Sequence, residues 1–224
     1  VNVLLWVTDW LSAPEQWSGT AGIPARFAEH LGYSGLALLL SALIAVPIGL
    51  LTGHTGRGGF LAASLANVAR ALPTIGVLML VVLAAGIGLV PVMAALVALA
   101  VPPILVNTYE GVRGVDPQVR DAARGMGMRG REVLLRVELP VALPLILVGL
   151  RTAAIQVVST ATIAAYVGIG GLGRFIVDGQ ARRQFEMVAG GALLVVVMAL
   201  LVAALFYLLR RFLVAPGLRR SPGS

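Results

Sequence analysis

The chain has 224 residues, 58% of them hydrophobic, with no cysteine and a net charge of +7. All 17 of its basic residues are arginine. Without a cysteine there is no disulfide, thiolate metal site or cysteine nucleophile, and without a lysine the chain is not a P-loop ATPase by itself. Long uncharged runs place it among helical integral membrane proteins rather than outer-membrane barrels, whose strands alternate apolar and polar residues. Arginines bordering apolar runs read as orientation signals and not as a nucleic-acid surface. His30 and His54 are far apart in the chain and expected on opposite sides of the membrane, so no histidine metal site is expected.

Residues 1–30 form an N-terminal extracytoplasmic or interfacial segment. It lacks the basic start and cleavage site of a secretory signal and is expected to be retained. Residues 3 to 12 are amphipathic, with Trp6 and Trp10 on one helical face and Trp17 beyond Pro14, a pattern suited to a helix in the headgroup region. Two readings follow, an anchor for the bundle or a gating or partner-docking element. The first crossing is Leu31 to Gly53, long enough for a hydrocarbon core of about 30 Å. Pro47 inside it is tolerable where neighbouring helices satisfy the freed carbonyl. The glycine-rich loop from Gly53 to Gly59 lacks the lysine and strand of a nucleotide cradle.

Ala71 to Tyr109 carries no charge and is too long for one crossing. The turn residues Gly86 to Pro91 divide it into crossings of about 62 to 86 and 90 to 109. Arg70 then lies within the second helix, followed by Pro73. It either snorkels to the interface or faces a partner or cavity.

Residues 111–140 form a charged island between apolar flanks. Asp116-Pro117 is a helix-start signal, so a short helix over 117 to about 124 is predicted. Gly125 and Gly127 permit a change of direction, and a second short helix spans about 129 to 137. Pro140 and Pro144 open a fourth crossing that runs to about Tyr166. Arg151, Thr152, Gln156, Ser159 and Tyr166 make a polar stripe along it, which either lines a solute path or packs between helices. Gly168 to Gly173 reads as a flexible turn before an amphipathic segment, Arg174 to Gln184. Met187 to Leu209 is the fifth crossing, and residues 211–224 are a basic tail expected to be disordered.

Five crossings put the two ends on opposite sides. Arg57, the island and the tail arginines share one side, which the positive-inside rule makes cytoplasmic, leaving the N-terminus outside. Arg174, Arg182 and Arg183 fall on the outer side and count against it, with Asp178 and Glu186 among them.

At the island the spacing Asp-Ala-Ala, three residues, Gly, nine residues, Val, one residue, Leu-Pro resembles the EAA motif of binding-protein-dependent ABC importer permeases. Asp121 stands for the usual Glu and Val137 for the usual Ile. The resemblance implies a type I importer permease fold like that of methionine permeases, with five crossings over residues 31–210 and a cytoplasmic coupling helix-turn-helix. It implies that Asp121, Ala122, Ala123, Gly127, Val137, Leu139 and Pro140 dock into a separate ATPase. ATP and Mg would be bound there, so this chain would have no cofactor, metal or catalytic residue of its own. Its partners would be two ABC ATPase subunits, an extracytoplasmic solute-binding protein, a second permease copy or paralogue, and membrane lipids.

Ala71 to Thr74, Leu143 to Ile146, Gly149 to Ala153 and Gly168 to Gly173 are similar to the osmoprotectant branch, whose permeases import glycine betaine, choline, carnitine or related compounds. A permease for methionine or another amino acid is the alternative. Arg70, Pro73, Arg151, Thr152, Gln156, Ser159 and Tyr166 are the candidate translocation path. Aromatics in the predicted crossings are few, Tyr33, Tyr109, Tyr166, Phe206 and Tyr207, so no aromatic cage for a quaternary ammonium is expected within one copy. A passive channel would leave the island spacing unexplained, a secondary transporter would need intramembrane acids and a repeat, and an enzyme would need a catalytic constellation.

Overall fold

The structure is a computed structural model that describes residues 2–60, 64–65 and 73–214. Nine α-helices follow one another among the described residues, with short 3-10 and π segments between some of them. They are α1 Val3–Ser12, α2 Ile23–Thr55, α3 Thr74–Ala85, α4 Leu89–Arg113, α5 Pro117–Gly125, α6 Gly130–Val133, α7 Leu139–Ala161, α8 Gly173–Arg182 and α9 Phe185–Leu213. A π turn over Leu134–Glu138 joins α6 to α7, and a 3-10 turn over Ile163–Val167 follows α7.

Among the described residues four helical stretches are long and apolar enough to cross a membrane: α2, α4, Gly130–Val167 and α9. The expected second crossing falls in part outside the described residues, as does Arg70. Its described end is α3, 12 uncharged residues. Pro73 does not lie within that helix but precedes it in extended backbone, with its carbonyl accepting from Val77 N at 3.0 Å. A proline there has no N–H to lose and presets the helix start.

The boundaries shift for physical reasons. α2 begins at Ile23 and not at Leu31, because Arg26 and Glu29 pair across one turn at 2.8 Å and polar groups can continue the helix. The fourth helix opens at Leu139-Pro140 as expected, and it is continuous with the turn before it. Pro140 cannot donate to the carbonyl of Arg136, and the π turn over Leu134–Glu138 widens the ladder where that bond is missing, so one helical rod continues.

The chain contacts divide into two compact units, residues 1–38, 73–99 and 154–202 in the first, and 39–72, 100–153 and 203–224 in the second. In the first, Trp10, Ile23, Val158, Leu172, Phe175 and Met198 form the core. Trp10 meets Phe175 edge to face at 5.1 Å, so α1 is anchored through it. Only Trp17 of the three tryptophans is well exposed.

In the second unit Val112, Leu134, Ala142 and Ile146 form the core. Small residues bring the helices together there. A Cβ at Gly49 would stand 2.7 Å from Thr108 Cβ, and one at Gly149 2.8 Å from both Asn107 Cβ and the Pro103 carbonyl oxygen. Such close approach is how membrane helices gain packing without a hydrophobic drive between them. Gly149→Ala is therefore expected to lower stability by about 1–3 kcal/mol through overpacking against backbone. A fall in melting temperature of the detergent-purified chain checks this.

Candidate functional site

The island folds in the second unit as a capped helix, a glycine turn and a return. Asp116 Oδ1 accepts from Gln118 N at 2.8 Å and caps α5, with Pro117 at its first position. At the other end Gly127 N donates to Arg124 O at 2.9 Å and Met128 N to Ala123 O at 3.2 Å. Gly127 has a φ of +86°, the left-handed conformation that ends a helix and reverses the chain. Glu132 Oε2 then accepts from Arg129 N at 2.9 Å, starting α6.

Ala123 is buried, whereas Asp121 and Ala122 face solvent together with Val119 and Met126. Val119, Ala122 and Met126 recur at helical spacing and give α5 a small apolar outer face. Asp121 and Arg124 are 3.7 Å apart and exposed, so their attraction contributes little. Gly127 is exposed, Val137 and Leu139 are half-buried, and Pro140 is exposed at the start of α7.

Sequence reasoning missed the groups that fix this arrangement. Glu138 is fully buried. Its Oε1 lies 2.9 Å from Arg120 Nε, off hydrogen-bonding alignment, and its Oε2 lies 2.6 Å from His54 Nδ1. An ionised carboxylate can only accept, so His54 carries its proton on Nδ1 in this contact. Arg120 Nη2 donates to the carbonyls of Val112 and Arg113 at the end of α4. One ion pair thus joins the C-terminal turns of α2 and α4, the helix α5 and the start of α7. The only sequence signal was an acid beside the Leu139-Pro140 entrance to an apolar run, hidden among the other charges of the island.

The first unit holds the second glycine-rich loop. Glu29 Oε2 accepts from Gly171 N at 2.8 Å as well as from Arg26. His30 Nδ1 accepts from Leu172 N at 3.2 Å, which leaves Nε2 to donate to Val158 O at 2.9 Å. Gly171, Leu172 and Gly173 are buried. The segment is therefore pinned, not the flexible turn its glycines suggested, with the Glu29 carboxylate on one N–H and the His30 ring on the next.

Of the expected path residues, Arg70 lies outside the described residues and Pro73 is exposed. Arg151 and Thr152 on α7 are exposed within the second unit, and Thr152 Oγ1 donates back to Val148 O at 2.9 Å. In the first unit Gln156 is half-buried and Ser159 exposed. Tyr166 leaves the helical arc, because α7 ends at Ala161 and the 3-10 turn redirects it; its hydroxyl donates to Gln180 Oε1 at 3.0 Å. Among the described residues no group of three or more His, Cys, Asp or Glu could hold a metal ion.

Residues 45–219 match the family described as binding-protein-dependent transport system inner membrane component. The chain is 35% identical over 192 residues to the choline transport system permease protein OpuBB of Bacillus subtilis, covering 86% of this chain and 88% of that one. It is 36% identical over 168 residues to the glycine betaine/carnitine/choline transport system permease protein OpuCB of the same organism, covering 75% and 77%. To the osmoprotectant import permease protein OsmW of Salmonella typhimurium it is 33% identical over 199 residues, covering 85% and 91%. Among solved structures, an inward-facing MetNI methionine ABC transporter aligns with a TM-score of 0.75 at 21% identity, over 91% of this chain and 100% of that one. An amino acid ABC transporter with histidines gives 0.70 at 22%, over 94% and 98%. At such identities these two structures speak for the fold alone.

Proposed function

Because the chain belongs to the family of binding-protein-dependent transport system inner membrane components, we propose that it is the membrane-spanning permease of an importer for osmoprotectants such as glycine betaine, choline or carnitine. A protein of this family is a multi-pass membrane subunit that works with an ATPase, a solute-binding protein and another permease. In this reading two ATPase subunits bind ATP and Mg, the other permease is a second copy or a paralogue, and residues 31–210 form the transport domain. The arginine-rich loops favour a cytoplasmic island and tail, with the N-terminus outside.

The observation that carries the reading is the island's geometry. α5 projects Val119, Asp121, Ala122 and Met126 outward while Arg120 and Ala123 hold it to the helices behind. A short rigid helix with a small apolar outer face is suited to a groove on a partner. Motion of that partner then reaches α4 and α7 through buried contacts. For the solute, the choline and glycine betaine permeases among the relatives favour osmoprotectants over methionine, whose transporter shares the fold at only 21% identity.

Proteoliposomes containing this chain, its ATPase and its solute-binding protein are expected to take up labelled glycine betaine or choline only when ATP is supplied inside. Uptake that persists without the ATPase would overturn the reading. A polar α7 face that carries solute predicts that Gln156→Leu changes the uptake rate at least threefold. Unchanged kinetics in that variant would assign Gln156 to packing.

A further inference from the structure

We infer that Glu138 is a positioning residue that locks the cytoplasmic turn of α2 to the coupling helix α5, with His54 and Arg120 as its two arms. The inference deepens the coupling reading above and rests on it.

Each carboxylate oxygen of Glu138 serves a different element. Oε2 takes His54 on α2, and Oε1 takes Arg120 on α5. Arg120 also spends Nη2 on the last carbonyls of α4, so it cannot leave without giving up those contacts as well. The carboxylate has no solvent exposure, so water offers it no alternative partner. An unpaired charge there is costly, so displacement of α5 is resisted unless α2, α4 and α7 follow it. Apolar residues of equal volume would hold these helices together, yet they would tolerate sliding. A buried charge with one available set of partners accepts a single register, the best-attested use of such groups.

The two arms differ in kind. The Arg120 contact is close but off hydrogen-bonding alignment, so attraction persists through small rotations of α5. The His54 contact is short and directional. α2 should therefore respond most sharply when the trio is altered. His54 is also the accessible member, opening on a cleft of about 420 Å³ shared with Leu51, Arg131, Leu134 and Leu135. Leucine fits such surroundings, so His54→Leu removes the contact while the Arg120 cation stays beside the buried carboxylate.

The test uses the assembled complex with labelled glycine betaine and choline, and reads solute moved per ATP hydrolysed at equal amounts of assembled complex. His54→Leu and Glu138→Gln are expected to lower the ratio at least fivefold. His54→Gln, which keeps an N–H donor for the carboxylate, is expected to stay within twofold of the unmodified chain. A His54→Leu complex with an unchanged ratio overturns the inference, including when Glu138→Gln fails to assemble, because the role would then be folding alone. An unmodified complex that moves neither solute with ATP would instead count against the proposed function.

Discussion

Gly127→Val is expected to reach the membrane at normal levels and to lose at least tenfold in ATP-dependent uptake. The residue sits at φ +86°, and a Cβ there would have nothing within 4 Å. Crowding is therefore not the cause; backbone conformation is. An L-residue in the left-handed region costs about 1–2 kcal/mol, and a β-branched one is a genuine outlier there. Valine would relax toward negative φ and break the bonds from Gly127 N and Met128 N that close α5. The outer face of Val119, Ala122 and Met126 would then point elsewhere. Asparagine tolerates the same conformation at a helix end, so Gly127→Asn should keep most of the uptake. Equal uptake by the valine and asparagine variants would show that the turn's shape is not what couples the partner.

Arg120→Leu is expected to be the most destabilising single change in the second unit. It leaves the fully buried Glu138 carboxylate without its cation and takes the guanidinium away from the carbonyls at the end of α4. Breaking one side of a buried pair costs about 3–5 kcal/mol. Replacing both, as in Arg120→Leu with Glu138→Leu, removes the orphaned charge and should recover most of that loss. Thermal unfolding of the detergent-purified variants distinguishes these outcomes. A single variant within about 1 kcal/mol of the unmodified chain would mean that water reaches the carboxylate.

How much of this was readable in advance depends on the range of the interaction. Uncharged runs announced three of the four candidate spans among the described residues, and an apolar run broken by Arg151 the fourth, because burial in lipid is a property of each segment's own composition. Asp116-Pro117 announced α5, since a cap is made from residues two apart. The motif residues Asp121 to Pro140 were legible as a spacing, but not their division into an outward Ala122 and an inward Ala123. Glycine composition misled at Gly168 to Gly173, where the partners Glu29 and His30 come from a helix far earlier in the chain. Pro140 marked the opening of the fourth helix, but not the π turn before it that absorbs the missing hydrogen bond.

The sequence by itself determined that this chain is a helical membrane protein with a capped, charged island carrying the spacing of a known coupling loop. Those features are local, set by hydropathy, caps and short repeats. Only the tertiary structure decided which of the island's many charges is buried, and that Glu138 gathers Arg120 and His54 from separate helices. The pairing of charges distant in sequence depends on how helices approach, and helix approach is set by shapes such as Gly49 on Thr108 and Gly149 on Asn107 that no local pattern encodes.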